Sequence, residues 1–290
     1  MSLHLPIRCA AAAAVACSLI TAAPAAAASE KVYGGHTTTQ SAPFALRVGA
    51  DGRTLTGLLI QVDFDCDAGY GASWSGAASF RAFTPGSVQL EDNVFNPART
   101  ASDGTFSSTG EAVGRYGKDD VGTITETISG KLRRNTAAGT YSATLVLRNP
   151  ATGATSATCQ SGTVRWKARS APQRVYAGLT EAGQPLVIER TRDGRKAKIL
   201  WVGWSAPCPS GGAYEISEGL TNFPIARNGR FGDRWTDKAR RYTVRGRIRG
   251  SRASGVFGVD VTRIDLGGDG ASVELCRSKL AKWSARSSRA

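Results

Sequence analysis

The stretch PFALRVGADGRTLTGLLIQVDFDC at residues 43–66 aligns without a gap on PLVIERTRDGRKAKILWVGWSAPC at residues 185–208. Both stretches begin with proline, contain Asp-Gly-Arg and end in cysteine. Downstream, residues 128–141 align on residues 244–257. Self-similarity over such a distance indicates that one folding unit occurs twice in the chain.

Each copy closes on the same pattern, Cys, six residues and then Trp-x-Ala-Arg-Ser, which spans residues 159–170 and 276–287. The repeat therefore predicts a first β-domain at residues 29–170, a second at 171–287, and a short tail at 288–290. Trp166 and Trp283, which stand at equivalent places, are predicted to fill the two cores, because a large aromatic side chain at a repeated position usually does so.

The strand that leads to the first repeated cysteine alternates between two faces. Its apolar face carries Leu58, Ile60, Val62 and Phe64, and the other face carries Leu59, Gln61, Asp63 and Asp65. A period of two is typical of a half-buried β-strand. Similar short runs recur between Gly-, Asn- and Asp-rich turns, so we expect about seven strands per copy, in an antiparallel sandwich or a small closed barrel. The first copy's extra residues, at 67–96 and 111–122, are predicted to be surface loops.

The N-terminus has the pattern of a secretory signal peptide, predicted at residues 1–28. Arg8 precedes an apolar stretch from Cys9 to Ile20, and small residues follow up to Ala28. No later segment is apolar over the roughly 20 residues that a membrane helix requires. The mature protein is therefore expected to be secreted, either extracellular or associated with the cell envelope.

Cleavage would leave four cysteines, which favours disulfides in an oxidising compartment. Four cysteines allow three pairings, and the repeat selects among them. A unit that folds by itself pairs its own cysteines, which predicts Cys66–Cys159 and Cys208–Cys276. Cross-pairing between the copies is the alternative.

The positive charge is concentrated in the second copy. Residues 29–171 contain 14 basic and 12 acidic side chains, whereas residues 172–290 contain 22 and 11. Arg241, Arg245, Arg247 and Arg249 share one strand parity. Arginine forks bind phosphate, sulfate or carboxylate groups, so the pattern predicts binding of an anionic polysaccharide or other polyanion. Trp201, at an outward parity, could stack on a sugar ring, or it could be buried under a loop or at the domain interface. A solvated arginine-rich face is the plainer interpretation.

The sequence offers little for catalysis, and a non-enzymatic role is favoured. The predicted mature chain contains one histidine, His36, and no spacing typical of a metal site, so no metal or cofactor is predicted. One alternative is a hydrolase that uses Asp63 and Asp65, whose strand face, with Asp67, could also hold calcium. The other is a protein-binding or inhibitor module that presents the loop around Trp74. Asp265 and Asp269 lie in a Gly-rich segment that weakly resembles a cation loop.

The two copies share one skeleton: Tyr-x-Gly, then Asp-Gly-Arg before a strand and its cysteine, and finally Cys-x6-Trp-x-Ala-Arg. This skeleton resembles a group of secreted actinobacterial proteins with tandem β-domains and one disulfide per domain. The resemblance covers nearly the whole predicted mature chain. It implies a fold, but it brings no activity and therefore no functional residue.

Overall fold

The computed structural model describes residues 30–69, 71–116, 120–209, 213–236, 240–265 and 272–289. These residues form nineteen β-strands and no helix, which confirms the all-β class. The predicted signal peptide lies outside the described residues. In the described part of the chain, no helix has the length and apolarity needed to span a membrane.

The first sheet contains ten strands. They are β1 (Lys31–Thr37), β2 (Pro43–Val48), β3 (Leu55–Cys66), β4 (Gly71–Phe80), β5 (Asn93–Phe95), β6 (Thr105–Tyr116), β7 (Asp120–Leu132), β8 (Thr136–Arg148), β9 (Thr155–Gln160) and β10 (Val164–Arg169). Neighbours pair antiparallel except β4 and β5, which run parallel.

The first sheet closes on itself because β9 and β10 act as one broken strand. The first half of β8 pairs with β10, and the second half of β8 pairs with β9. β10 then pairs with β1, and β9 pairs with the end of β3 at Cys66 and Cys159. The result is a barrel, one of the two architectures that the strand pattern allowed.

The second sheet contains nine strands. They are β11 (Val175–Thr180), β12 (Pro185–Arg190), β13 (Lys196–Pro207), β14 (Ala213–Pro224), β15 (Arg230–Thr236), β16 (Arg240–Arg249), β17 (Arg252–Asp265), β18 (Ser272–Arg277) and β19 (Ala281–Arg286). β17 is shared between β19 and β18 in the way that β8 is shared between β10 and β9. A single bridge between Ile225 and Phe231 joins the remaining edges, β14 and β15, at one end. The second sheet is therefore an incompletely closed barrel, which we call the second barrel.

The expected number of seven strands per copy is wrong, since the sheets have ten and nine. Gly71–Phe80, predicted as part of a surface loop, forms β4. This segment has low intrinsic β-propensity, but its backbone pairs with the long strand β3. The extra residues 111–116 and 120–122 are not a loose loop either, because they belong to β6 and β7. They lengthen the hairpin of β6 and β7 relative to β15 and β16.

Both predicted disulfides are present, Cys66–Cys159 and Cys208–Cys276. In the first copy the bond links the end of β3 to β9, and in the second copy it links the residue after β13 to β18. Intradomain pairing is therefore confirmed, and the cross-paired alternative is wrong.

Each barrel core contains the repeated tryptophan, as predicted. Trp166 is 2% exposed, and Trp283 is 3% exposed. A β-carbon added at Gly130 or Gly139 would lie 2.6 Å from the Trp166 ring, so the indole rests on bare backbone. Gly246 and Gly255 provide the same platform for Trp283. The repeat thus preserves a glycine pair together with the aromatic ring that covers it.

The two barrels meet through a third apolar cluster. It joins the outer face of β1–β3 to the outer face of β11–β13, and its buried members are Val32, Ala45, Leu59, Ala171, Val175, Ala177, Val187 and Trp201. Ser288, which the repeat places in the C-terminal tail, is buried here too, and its hydroxyl accepts a hydrogen bond of 2.9 Å from the Val32 amide. The arrangement explains why these strands are apolar on both faces.

Candidate functional site

The predicted arginine stripe lies on β16. Arg241, Arg245 and Arg249 are exposed and Arg247 is partly exposed, while Tyr242, Val244 and Ile248 are buried in the core of the second barrel. A strand of period two therefore presents its arginines outward over an apolar inner face. Arg241 stands apart, beside Thr236 and Asp260, at the far end of the strand.

The sheet register brings further basic residues beside the stripe. Arg247 lies between Arg230 on β15 and Ser254 on β17, and Ser284 of β19 completes this row. Directly paired residues in antiparallel strands place their side chains about 5 Å apart on the same face. Arg249, Arg252 and Arg286 form a second row, and Lys282 lies in the row of Arg245. We call the combined set the basic face: Arg230, Arg245, Arg247, Arg249, Arg252, Lys282 and Arg286.

Among the described residues, no ion pair neutralises any member of the basic face. Arg247 is held in place because its Nε donates a 3.1 Å hydrogen bond to the Asn228 carbonyl. Partial desolvation, together with the neighbouring charges of Arg249 and Arg230, lowers the pKa of Arg247 from its ordinary value. An anion that enters this field would relieve repulsion between like charges.

Two adjoining shallow grooves cross the basic face. One has a volume of about 640 Å³ and is bordered by Arg247, Arg249, Arg252 and Arg286. The other has a volume of about 630 Å³ and is bordered by Arg230, Arg245, Arg247 and Lys282. Small residues, Ser254, Ser284, Gly246 and Gly255, leave room between the long side chains. Guanidinium forks around such a floor suit bidentate contacts to phosphate, sulfate or carboxylate.

Only part of the basic face was evident from the sequence. The strand parity identifies Arg245, Arg247 and Arg249, but Arg230, Arg252, Lys282 and Arg286 were not assigned to the same site. Their grouping depends on which strands are neighbours, and β19 comes beside β17 through a non-local pairing. The sequence did show that the segments of β15–β17 and of β19 are rich in basic residues, and this density was the only indication of the larger site.

Trp201 does not belong to the basic face. Of the two placements that its parity allowed, the structure has the buried one, between the barrels. It lies on β13, is only 9% exposed, and stacks against His36 of the first barrel with ring centroids 4.6 Å apart. Burial, followed by the charge of Lys167, lowers the pKa of His36, so its imidazole is neutral at pH 7. The two rings are part of the contact between the barrels.

Trp74, the centre of the predicted protein-binding loop, is likewise not on a loop. It lies on β4, is half-buried against the core of the first barrel, and stacks near Tyr116 with ring centroids 6.3 Å apart. The structure therefore places this side chain on a sheet and not on a projecting loop.

Two of the three aspartates around the first disulfide are engaged in hydrogen bonds. Asp63 accepts a 2.8 Å hydrogen bond from the Ser73 hydroxyl, and Asp67, which lies past the end of β3, accepts one of 2.9 Å from the Thr158 amide. The described residues contain one group spaced for a metal ion, Cys208, Glu274 and Cys276, whose sulfurs are already disulfide-bonded. Asp269 and most of its Gly-rich segment lie outside the described residues.

Comparisons with known proteins add no function. No family model matches the chain, and no curated protein sequence matches it. One solved structure aligns, that of a Nitrosomonas europaea protein provisionally named AttH, at 11% identity over 90% of this chain and 92% of that chain, with a TM-score of 0.17. At this TM-score the similarity supports no argument about fold or function.

Proposed function

We propose that this is an exported, non-enzymatic protein that binds an anionic polymer of the cell envelope or extracellular space through its basic face. The observation that carries the proposal is the convergence of seven cationic side chains from four adjacent strands, without an ion-pair partner among the described residues. Two disulfides and the signal-like N-terminus support export, because disulfides persist in oxidising compartments.

The geometry favours a polymer over a single small ion. The two grooves share Arg247 and Ser254 as lining residues, so they adjoin along the arginine rows. Successive anionic groups of a chain could contact successive arginine rows, and each added contact would strengthen binding while the exposed setting keeps it sensitive to salt.

The proposal predicts that the triple variant Arg245→Ser, Arg247→Ser and Arg249→Ser binds immobilised heparin, a sulfated polysaccharide, about tenfold or more weakly than the wild type. The reason is the loss of three charged donors from the centre of the basic face. The dissociation constant and the NaCl concentration needed for elution are the measurements. Circular dichroism should be unchanged, because these side chains point away from the core.

A matched control removes the same charge elsewhere. Arg53, Arg148 and Arg165 are exposed residues of the first barrel, and none belongs to an ion pair among the described residues. Their triple serine variant should keep most of the affinity. Equal losses in the two triple variants would show that retention follows net charge alone and would refute the basic face as a site.

A further inference from the structure

A second groove lies between the two barrels, away from the basic face. Its volume is about 770 Å³, which is within the usual range for small-molecule sites. The first barrel contributes residues from β1, β7, β8 and β10, and the second barrel contributes residues from β12, β13 and β14. Neither barrel alone forms this groove.

The groove has an aromatic and apolar wall. The stacked rings of His36 and Trp201 line it, and Ile199 lies on the same strand as Trp201. Gly34, Gly35, Ala137 and Ala138 also line the groove. Because burial keeps the His36 imidazole neutral at pH 7, this wall suits a flat, apolar group.

Charge along the groove is mostly positive. Five cationic residues line it, Lys131, Arg133, Lys167, Arg169 and Lys198, against one acidic residue, Glu189. Glu189 is already engaged by Arg169 across the domain boundary and by Lys198 at 3.3 Å, and Lys131 pairs with Asp103 at 3.2 Å. Within the described part of the chain, Arg133 and Lys167 remain without an acidic partner, so the groove has two cations available for a ligand.

From this combination we infer that the groove between the barrels binds a small planar organic anion, with its flat body against Trp201 and its acidic group at Arg133 and Lys167. The class is that of aromatic carboxylates. The Arg169–Glu189 ion pair connects the first-barrel side of the groove to the second-barrel side, so the site is preorganised by a contact between the barrels. This site is separate from the basic face and needs both copies of the repeat, which the polymer site does not.

The test uses 2-naphthoate as the probe and 2-naphthalenemethanol as its uncharged counterpart, titrated calorimetrically into the full mature chain. Naphthoate should bind about fivefold or more tightly than the alcohol. The double variant Arg133→Ser and Lys167→Ser should remove most of this preference. Trp201→Leu should weaken both probes, since it removes the aromatic wall. The serine variant alters two exposed side chains and therefore stays informative even if the tryptophan variant fails to fold.

The triple serine variant of the basic face serves as the control and should bind naphthoate like the wild type. This control also separates the two proposals. Heparin binding can be lost while naphthoate binding is kept, and naphthoate binding can be lost while heparin binding is kept. Three results would overturn the inference: no naphthoate binding at millimolar concentration, equal affinity for the alcohol, or unchanged affinity in the Arg133 and Lys167 variant.

Discussion

Replacing Trp166 by alanine is expected to lower the free energy of unfolding of the first barrel by about 3–5 kcal/mol. The indole is 2% exposed and stacks on Phe44 with ring centroids 4.3 Å apart. It also covers Gly130 and Gly139, which have no side chains that could move into the space left behind. The cavity would therefore stay largely open. Urea denaturation, monitored by far-ultraviolet circular dichroism, measures the decrease in the free energy of unfolding.

Two further variants calibrate that result. Trp74→Ala removes an equally large ring from a half-buried site at the edge of the same core, so its effect should be clearly smaller. Gly139→Ala should destabilise as well, because its β-carbon would lie 1.9 Å from the Ser129 carbonyl oxygen and 2.6 Å from the indole. A loss below about 1 kcal/mol for Trp166→Ala would show that this ring is not a central element of the barrel.

Local alternation and the internal repeat were enough to predict the fold class and the disulfides. Leu58, Ile60, Val62 and Phe64 are all buried, as the period of two indicates. The repeat supplied the pairing of the cysteines. The number of strands was underestimated because β4, rich in Gly, Ser and Ala, forms through its pairing with β3 rather than through its own propensity.

Contacts between distant parts of the chain could not be predicted in the same way. Leu59, Val187 and Trp201 occupy the outer parity of their strands, where a sequence pattern cannot distinguish solvent from a neighbouring domain. In the structure they are buried between the barrels. The full basic face could not be predicted from the sequence for the same reason, since Arg252 and Arg286 become neighbours only through the pairing of β17 with β19.

Glu126 is an ionisable residue at a strand position where the alternating pattern calls for an apolar side chain. By parity it belongs to the inner face of β7, where it interrupts an apolar run, and the structure keeps it there, fully buried. Its Oε1 accepts a 2.6 Å hydrogen bond from the Tyr141 hydroxyl, whereas Oε2 has no hydrogen-bond partner among the described residues. Burial raises the pKa of Glu126 to about 7, although the hydrogen bond from Tyr141 opposes this shift.

This pKa makes the stability of the first barrel depend on pH in a defined direction. In the unfolded chain the carboxyl ionises near its ordinary pKa of 4.5, but in the folded protein it keeps its proton up to about pH 7. Between these values the unfolded state binds fewer protons, so stability falls as the pH rises. The full stability is present below pH 4.5, and about 3 kcal/mol of it is lost above pH 7.

The variant Glu126→Gln should abolish this dependence. Its amide oxygen can still accept the Tyr141 hydrogen bond, but the side chain carries no charge at any pH. We therefore expect the variant to match the wild type near pH 4.5 and to exceed its free energy of unfolding by about 3 kcal/mol at pH 8. Urea denaturation at the two pH values measures the difference, and Glu91→Gln, a change at an exposed position, is the control. A variant that is no more stable than the wild type at pH 8 would contradict a buried, uncompensated carboxyl. A gain confined to high pH would identify Glu126 as a residue that weakens its own barrel under neutral conditions.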